Sequence, residues 1–300
     1  MQAESKRITV SALIFLISAA VLLLTESTGH SWVHVLILSA VFLWLPMVTA
    51  WCVKYGILPK TIEILQMPAG LLLAIAVFID DAMIAGPLSL PWVLLAGMSV
   101  LHLLIYSHWW HHWYKLLFVF AFIFWLVAGG WFFCYQIGYR PFNFSPVIVL
   151  LTAAHFHFAG FLLTMLSAYL ALQSTQPAVW IATVLVLLGM PLTAAGILCT
   201  QLYNHSLLES LGGCIMAAGA VGVGGIFAFT RQKAARSGIR KGLYKTGGIC
   251  LFTGMCLAAA YALRPYVGAN GLDIPTMYHI HGTLNMTGLG CLTVAVFQLD

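Results

Sequence analysis

Apolar runs, each about as long as a bilayer's hydrocarbon core is thick, follow one another along almost the whole chain. A helix needs ~20 residues to cross that core. Ten such runs can be counted, at roughly 8–25, 31–53, 61–79, 86–107, 115–136, 145–172, 177–200, 207–230, 246–263 and 274–297. Only 7% of the 300 residues are charged and 62% are hydrophobic, with a mean hydropathy of +0.98. A water-soluble domain of this size cannot bury that much apolar surface, so lipid must be the solvent for most of it. In lipid every backbone N–H and C=O needs an internal partner, which long helices supply within themselves. The expected fold is all-α: a polytopic transmembrane helix bundle forming a single integral membrane domain over 1–300. Pro68 with Gly70 interrupts the third run and Gly189-Met190-Pro191 the seventh, so kinks are expected there. Lys6-Arg7 and the apolar run to Leu24 resemble a signal peptide, but no small-residue cleavage site precedes Thr25-Glu26-Ser27, and a retained first helix is expected.

Charge placement gives the expected orientation. If the N-terminus is inside, the inner segments hold Lys6, Arg7, Lys54, Lys60, Lys115, Arg231, Lys233, Arg236, Arg240, Lys241 and Lys245. The outer segments hold only Arg140 and Arg264. Eleven against two follows the positive-inside rule and predicts both termini in the cytoplasm of a bacterial inner membrane. The basic connection from Arg231 to Lys245 is expected to lie against anionic headgroups. The net charge of +5 includes no run suited to nucleic acid, so the lipid bilayer is the expected partner. The seven cysteines are scattered, without a CxxC or CxxCH pattern, and suggest buried thiols. In the eighth span Gly213, Ala217, Ala220 and Gly224 share one face, which suits close packing against a neighbour. The stretch from Tyr106 to Lys115, with His108, His111 and His112 among tryptophans, suits the membrane interface.

The chemistry-bearing residues sit inside the sixth and tenth spans. His155 and His157 lie about ten to twelve residues into the sixth, ~15–18 Å deep at 1.5 Å per residue. His279 and His281, beside Tyr278 and above Asn285, lie in the outer half of the tenth. Intramembrane imidazoles are costly unless they face a polar interior, pair, or bind something. Residues two apart point about 200° from one another on a regular helix, so His155 and His157 cannot address one ion together. His157, flanked by Ala153, Ala154, Gly160 and Thr164 at helical spacing, is the expected inward residue. His281, sharing a face with Tyr278, Asn285 and Gly288, is preferred over His279. Neutral imidazole suits iron, copper or zinc, so His155, His157, His279 and His281 are candidate ligands for iron, haem or another transition metal. Asp80 and Asp81 after the third span, and Glu209 with His205 at the eighth, are candidate carboxylates or proton carriers near the same level. Arg140 and Arg264 are candidates for an anionic headgroup or substrate, against simple snorkelling to the surface. Glu63 and His102 fall in the inner half and suggest local hydrogen bonding.

Ala154-His-Phe-His-Phe-Ala-Gly160-Phe161 in one span, with His281-Gly-Thr-Leu-Asn285 and Gly288 in the last, resembles the YndJ-like family of bacterial membrane proteins. The resemblance covers nearly the whole chain. It implies that His155, His157, Phe158, Gly160, His281, Gly282 and Asn285 form the family's motif, and a transporter-like role. Ala154 to Phe158 is also similar to the HFHY helix of the haem-copper oxidase large subunit, although no HPE-type copper-ligand helix is present. Three readings follow. In the first, a His/Asn site binds a metal or a small polar or lipid-like ligand for transport. In the second, the histidines hold iron or haem in an enzyme acting on a lipid or terpenoid. In the third, they only fix helix packing in a scaffold or assembly factor. The topology is directly testable: alkaline phosphatase fused after Arg140 or Arg264 should be active, and fused after Lys60 or Lys245 inactive.

Overall fold

The computed structural model describes residues 2–25, 30–106, 113–231, 233, 235, 237–268 and 271–298. The interfacial histidines His108, His111 and His112 lie outside the described residues, as do Glu26 and Arg236. Among the described residues, ten helices are long and apolar enough to cross a membrane: α1 (Arg7–Thr25), α2 (Ser31–Lys54), α3 (Lys60–Val77), α4 (Ala82–Tyr106), α5 (Leu116–Gln136), α6 (Pro146–Gln173), α7 (Pro177–Tyr203), α8 (Leu207–Arg231), α9 (Gly238–Ala262) and α10 (Ile274–Gln298). No strand occurs among the described residues.

Local chemistry explains the ends. Proline opens α6 and α7, where a missing backbone N–H costs nothing. Asp81 accepts from Met83 N at 2.9 Å and so starts α4. Asp273 accepts from Thr276 N at 2.8 Å ahead of α10. Asn204 ends α7 in the left-handed conformation, at φ 55°. Pro68 and Pro191 lie inside continuous helices, so neither breaks its span. The basic connection is shorter than expected: α9 begins at Gly238, and the Ser237 hydroxyl accepts from Arg240 N at 3.2 Å. Arg240, Lys241 and Lys245 therefore ride on the first turns of α9. Its start was missed because charge, not loop chemistry, sets the apparent edge of an apolar run.

The chain forms two compact units, one of Met1–His112 with Val119–Phe161, the other of Trp113–Phe118 with Leu162–Asp300. In the first, α2 is buried on nearly every side and serves as the central helix, while α1 buries little of itself. Aromatic side chains fill the space between α4, α5 and α6. Trp92 meets Trp125 edge-on at 5.2 Å between ring centres, and Phe161 packs against both Phe122 and Trp125.

In the second unit α8 packs against both α7 and α9, and α9 packs against α10. Lipid gives no hydrophobic drive between helices, so contact depends on backbones coming close. A Cβ on Gly196 of α7 would lie 2.3 Å from Glu209 N of α8, and one on Gly219 would lie 2.6 Å from Val186 N. The opposite face of α8 meets α9, where a Cβ on Gly248 would lie 2.5 Å from Gly224 O. The stripe of Gly213 and Gly224 is thus the α9 face, and Gly212 with Gly219 forms a second face toward α7. Forcing these backbones apart should be costly: Gly196→Val should destabilise the protein by ~1–3 kcal/mol, the usual range for overpacking. Thermal unfolding in detergent checks this, with Gly225→Val, where a Cβ meets nothing within 4 Å, as the tolerated control.

Candidate functional site

The His157 side chain is fully buried in the first unit, and both of its ring nitrogens are used. Trp92 Nε1 donates to Nε2 at 3.2 Å, and Nδ1 donates to the Ala153 carbonyl at 2.8 Å. An indole N–H can only donate and a carbonyl can only accept. These partners define a neutral ring with its proton on Nδ1. The Nε2 lone pair, the one a metal would need, receives the Trp92 proton instead. His157 is the second residue of a wide π-helical stretch, Phe156–Leu162. Gly160 lies in the same stretch, where a Cβ would come within 2.9 Å of Phe124 Cβ. His155, two residues earlier, is exposed, and its Nδ1 bonds the Leu151 carbonyl at 2.8 Å.

The other motif lies in the second unit. His281 is buried at the end of the π-helical turn Met277–His281. It donates from Nδ1 to the Gly254 carbonyl of α9 at 2.7 Å, and Asn285 Nδ2 donates to its Nε2 at 2.9 Å. The tautomer is therefore the same as in His157. Asn285 lies one turn further on, and its Oδ1 is buried with no partner among the described residues. A Cβ on Gly254 would lie 2.8 Å from that oxygen, so a mid-span glycine both accepts from His281 and leaves room for the amide. Tyr278 is half-buried and its ring lies tilted against that of exposed His279, 4.5 Å between centres, and His279 bonds the Pro275 carbonyl at 2.9 Å. Just outside the span, bonds from Thr276 hold the exposed Asp273 carboxyl below the ordinary carboxylate range.

The remaining candidates fall elsewhere. Glu209 and Arg264 pair with each other at 3.1 Å, and Arg264 also donates to the Tyr261 carbonyl at 2.8 Å and lies 3.8 Å over the Tyr261 ring. Neither is an open carboxylate or an open cation; the pair ties the start of α8 to the end of α9, beside Ser210, which donates to Ala262 O at 2.6 Å. Asp80, Asp81 and Arg140 are exposed, with Asp81 used as a helix cap. His205 is exposed and bonded through its own carbonyl to Thr200. Among the described residues no three histidine, cysteine or acidic side chains gather closely enough to hold a metal ion.

Sequence reasoning passed over several functional-looking groups. His34 is buried in α2 with its ring edge-on to Tyr135 at 5.5 Å. Glu63, taken as a local hydrogen-bonding residue, is 4% exposed and bonded to Arg7 of α1 at 2.6 Å. Lys60, Glu63 and Gln66 recur every three residues on α3, a spacing that marks a polar face. Trp92 carries no spacing signal that points to His157.

Ten helices among the described residues, each long and apolar enough to cross a membrane, define a multi-pass helical protein of the cell membrane. The family model described as "YndJ-like protein" matches residues 33–289, which includes both histidine motifs, and the chain belongs to that family. The "Uncharacterized membrane protein YndJ" of Bacillus subtilis (strain 168) is 29% identical over 168 residues, covering 55% of this chain and 29% of that protein. The chain therefore matches under a third of that relative's length. No solved structure matches.

The Trp92–His157 pair yields a defined expectation. Trp92→Phe keeps an aromatic ring, though a smaller one, but strands the buried Nε2, and should cost ~1–3 kcal/mol beyond the lost packing. In a double-mutant cycle, His157→Leu in the Trp92→Phe background should cost less than His157→Leu alone, read from thermal unfolding in detergent.

Proposed function

We propose that this membrane protein binds a small polar ligand on α10, through Asn285 and His281, and moves it in a transporter-like role. The observation that carries this reading is the Asn285 carboxamide oxygen, buried within a membrane span and without a hydrogen-bond partner among the described residues. An unpaired buried acceptor is costly and selects for a partner that supplies a donor. His281 fixes the other end of the amide, so the oxygen is held in one orientation. The ligand is thus a molecule with a hydroxyl or N–H group, and exposed His279 beside Tyr278 supplies polar surface on the same helix. The excess of Lys and Arg in alternate connections supports both termini on the cytoplasmic side.

The α6 histidine takes a different part. Its two bonds support a packing role for His157, which locks α4 to α6. Ligand binding is therefore assigned to α10 alone, and the donor set there favours a hydrogen-bonded solute over a metal or haem. In the test, a panel of small polyols, amines and amides is screened by thermal shift on the detergent-purified protein, in parallel with metal analysis. A compound that stabilises the wild type, loses that effect in Asn285→Leu, and is taken up by wild-type proteoliposomes supports the proposal. Stoichiometric metal lost on His281→Ala, or an Asn285→Leu variant that responds to every compound as the wild type does, would sink it.

A further inference from the structure

The end of α8 and the start of α9 carry a polar arrangement of their own, in which the proposed ligand site has no part. The two helices run in opposite directions, since Gly213 meets Ala262 and Gly224 meets Gly248. Near their joined ends Phe227 of α8 stacks on Tyr244 of α9, with 5.4 Å between ring centres. One turn further out on each helix lies an arginine, Arg231 after Phe227 and Arg240 before Tyr244. The stacked pair therefore puts the two arginines at the same level on adjacent helices. Each is held by a tyrosine. Arg231 Nη2 donates to the Tyr169 hydroxyl of α6 at 3.3 Å, and Arg240 Nε donates to the Tyr244 hydroxyl at 3.2 Å. Each guanidinium also lies 5.7 Å from the centre of its tyrosine ring. Both tyrosines are buried, and Phe297 of α10 braces Tyr169 edge-on.

A phenol fixes a guanidinium in place without cancelling its charge. The charge that gathers here is one-sided. Lys233, Lys241 and Lys245 join the two arginines at this end of the second unit. The acidic side chains of that unit, among the described residues, are Glu209 and Asp273, and both belong to the other end: Glu209 starts α8, and Asp273 precedes α10. Cations that only set topology reach into water on loose stems. Arg231 and Arg240 are instead tied side by side, an arrangement that like charges resist and an anion relieves. The flanking surface is apolar: Phe229 is 68% exposed and Ile239 is 74% exposed. A bilayer surface offers the matching pair of features, an anionic phosphodiester with acyl chains beneath it. A free inorganic anion would use the arginines and leave the apolar flanks idle.

We propose that Arg231 and Arg240 form a binding site for the headgroup of an anionic phospholipid. The two planar guanidiniums donate to the phosphodiester oxygens, and the acyl chains lie along the surface that Phe229 and Ile239 expose. Because the anchoring tyrosines come from α6 and α9, the bound lipid fastens the ends of α6, α8 and α9 together, and the second unit gains stability from it.

The test uses the full chain purified in detergent and given phosphatidylglycerol or phosphatidylcholine in mixed micelles. Native mass spectrometry should show phosphatidylglycerol retained more tightly. The unfolding midpoint should rise with that lipid and stay flat with phosphatidylcholine or inorganic phosphate. Arg231→Lys with Arg240→Lys, which keeps the charge and removes the planar forks, should weaken phosphatidylglycerol binding ~10-fold or more. Lys233→Gln with Lys241→Gln, which removes two charges from exposed positions nearby, should weaken it less. Equal retention of the two lipids, a rise with phosphate that matches the rise with phosphatidylglycerol, or a lysine pair that costs as much as the arginine pair overturns the proposal. Should the arginine variant fail to fold, Tyr169→Phe with Tyr244→Phe decides the matter, since it keeps both rings and releases both guanidiniums. Weaker phosphatidylglycerol binding then supports the site, and unchanged binding overturns it.

Discussion

Everything polar inside this protein must find its partner inside the protein, because the lipid around it supplies none. The His157 ring shows the constraint at its clearest. Buried at the level of the bilayer interior, it stays neutral, donates once to its own helix and accepts once from Trp92. His281 repeats the solution on another helix, with a glycine carbonyl and an asparagine amide as its partners. Glu63 and Glu209 are each matched by arginine, so no buried carboxylate among the described residues is left bare. Against that background the unmatched buried atoms, which are spread over several helices, carry information. Asn285 Oδ1, Arg7 Nε and Gln66 Nε2 are ends of side chains whose other atoms are already engaged.

Close helix approach makes these arrangements feasible. Glycines at Gly196, Gly219 and Gly248 let α7, α8 and α9 meet backbone to backbone. Gly254 serves packing and chemistry together, since the approach that brings α10 near also presents its carbonyl to His281. Small residues in such a bundle thus set how far polar side chains have to reach. A methyl group in the wrong place would displace a hydrogen bond as well as a neighbouring helix.

The two histidine motifs, alike in sequence, differ in how their hydrogen bonds are filled. On α6 the pair divides into an exposed His155 and a buried His157 whose bonds are complete. On α10 the buried member stands beside an amide that still has an open acceptor. Both lie in π-helical turns, which often accompany functional sites. Such turns also occur at Ala40–Trp44, Ile226–Arg231 and Val294–Gln298, so the wide turn alone does not mark a site. Thr164 Oγ1 on α6 is also buried and unmatched, so what sets α10 apart is an unmatched amide oxygen whose other end is held by His281.

From its residues alone the chain already specified ten membrane helices and the family to which it belongs. Runs of ~20 apolar side chains have only one way to satisfy their backbones in lipid. The helices run on through the prolines at 68 and 191, so one missing N–H does not end a span there. Partners were a different matter. That Trp92 would meet His157, that Arg264 would take Glu209, and that Arg7 would reach across to Glu63 depends on residues 55 to 65 positions apart in the chain. A hydrogen bond lasts only where two side chains coincide within about 3 Å. Spacing along one helix gives direction around its axis, and only the packed bundle decides what lies there.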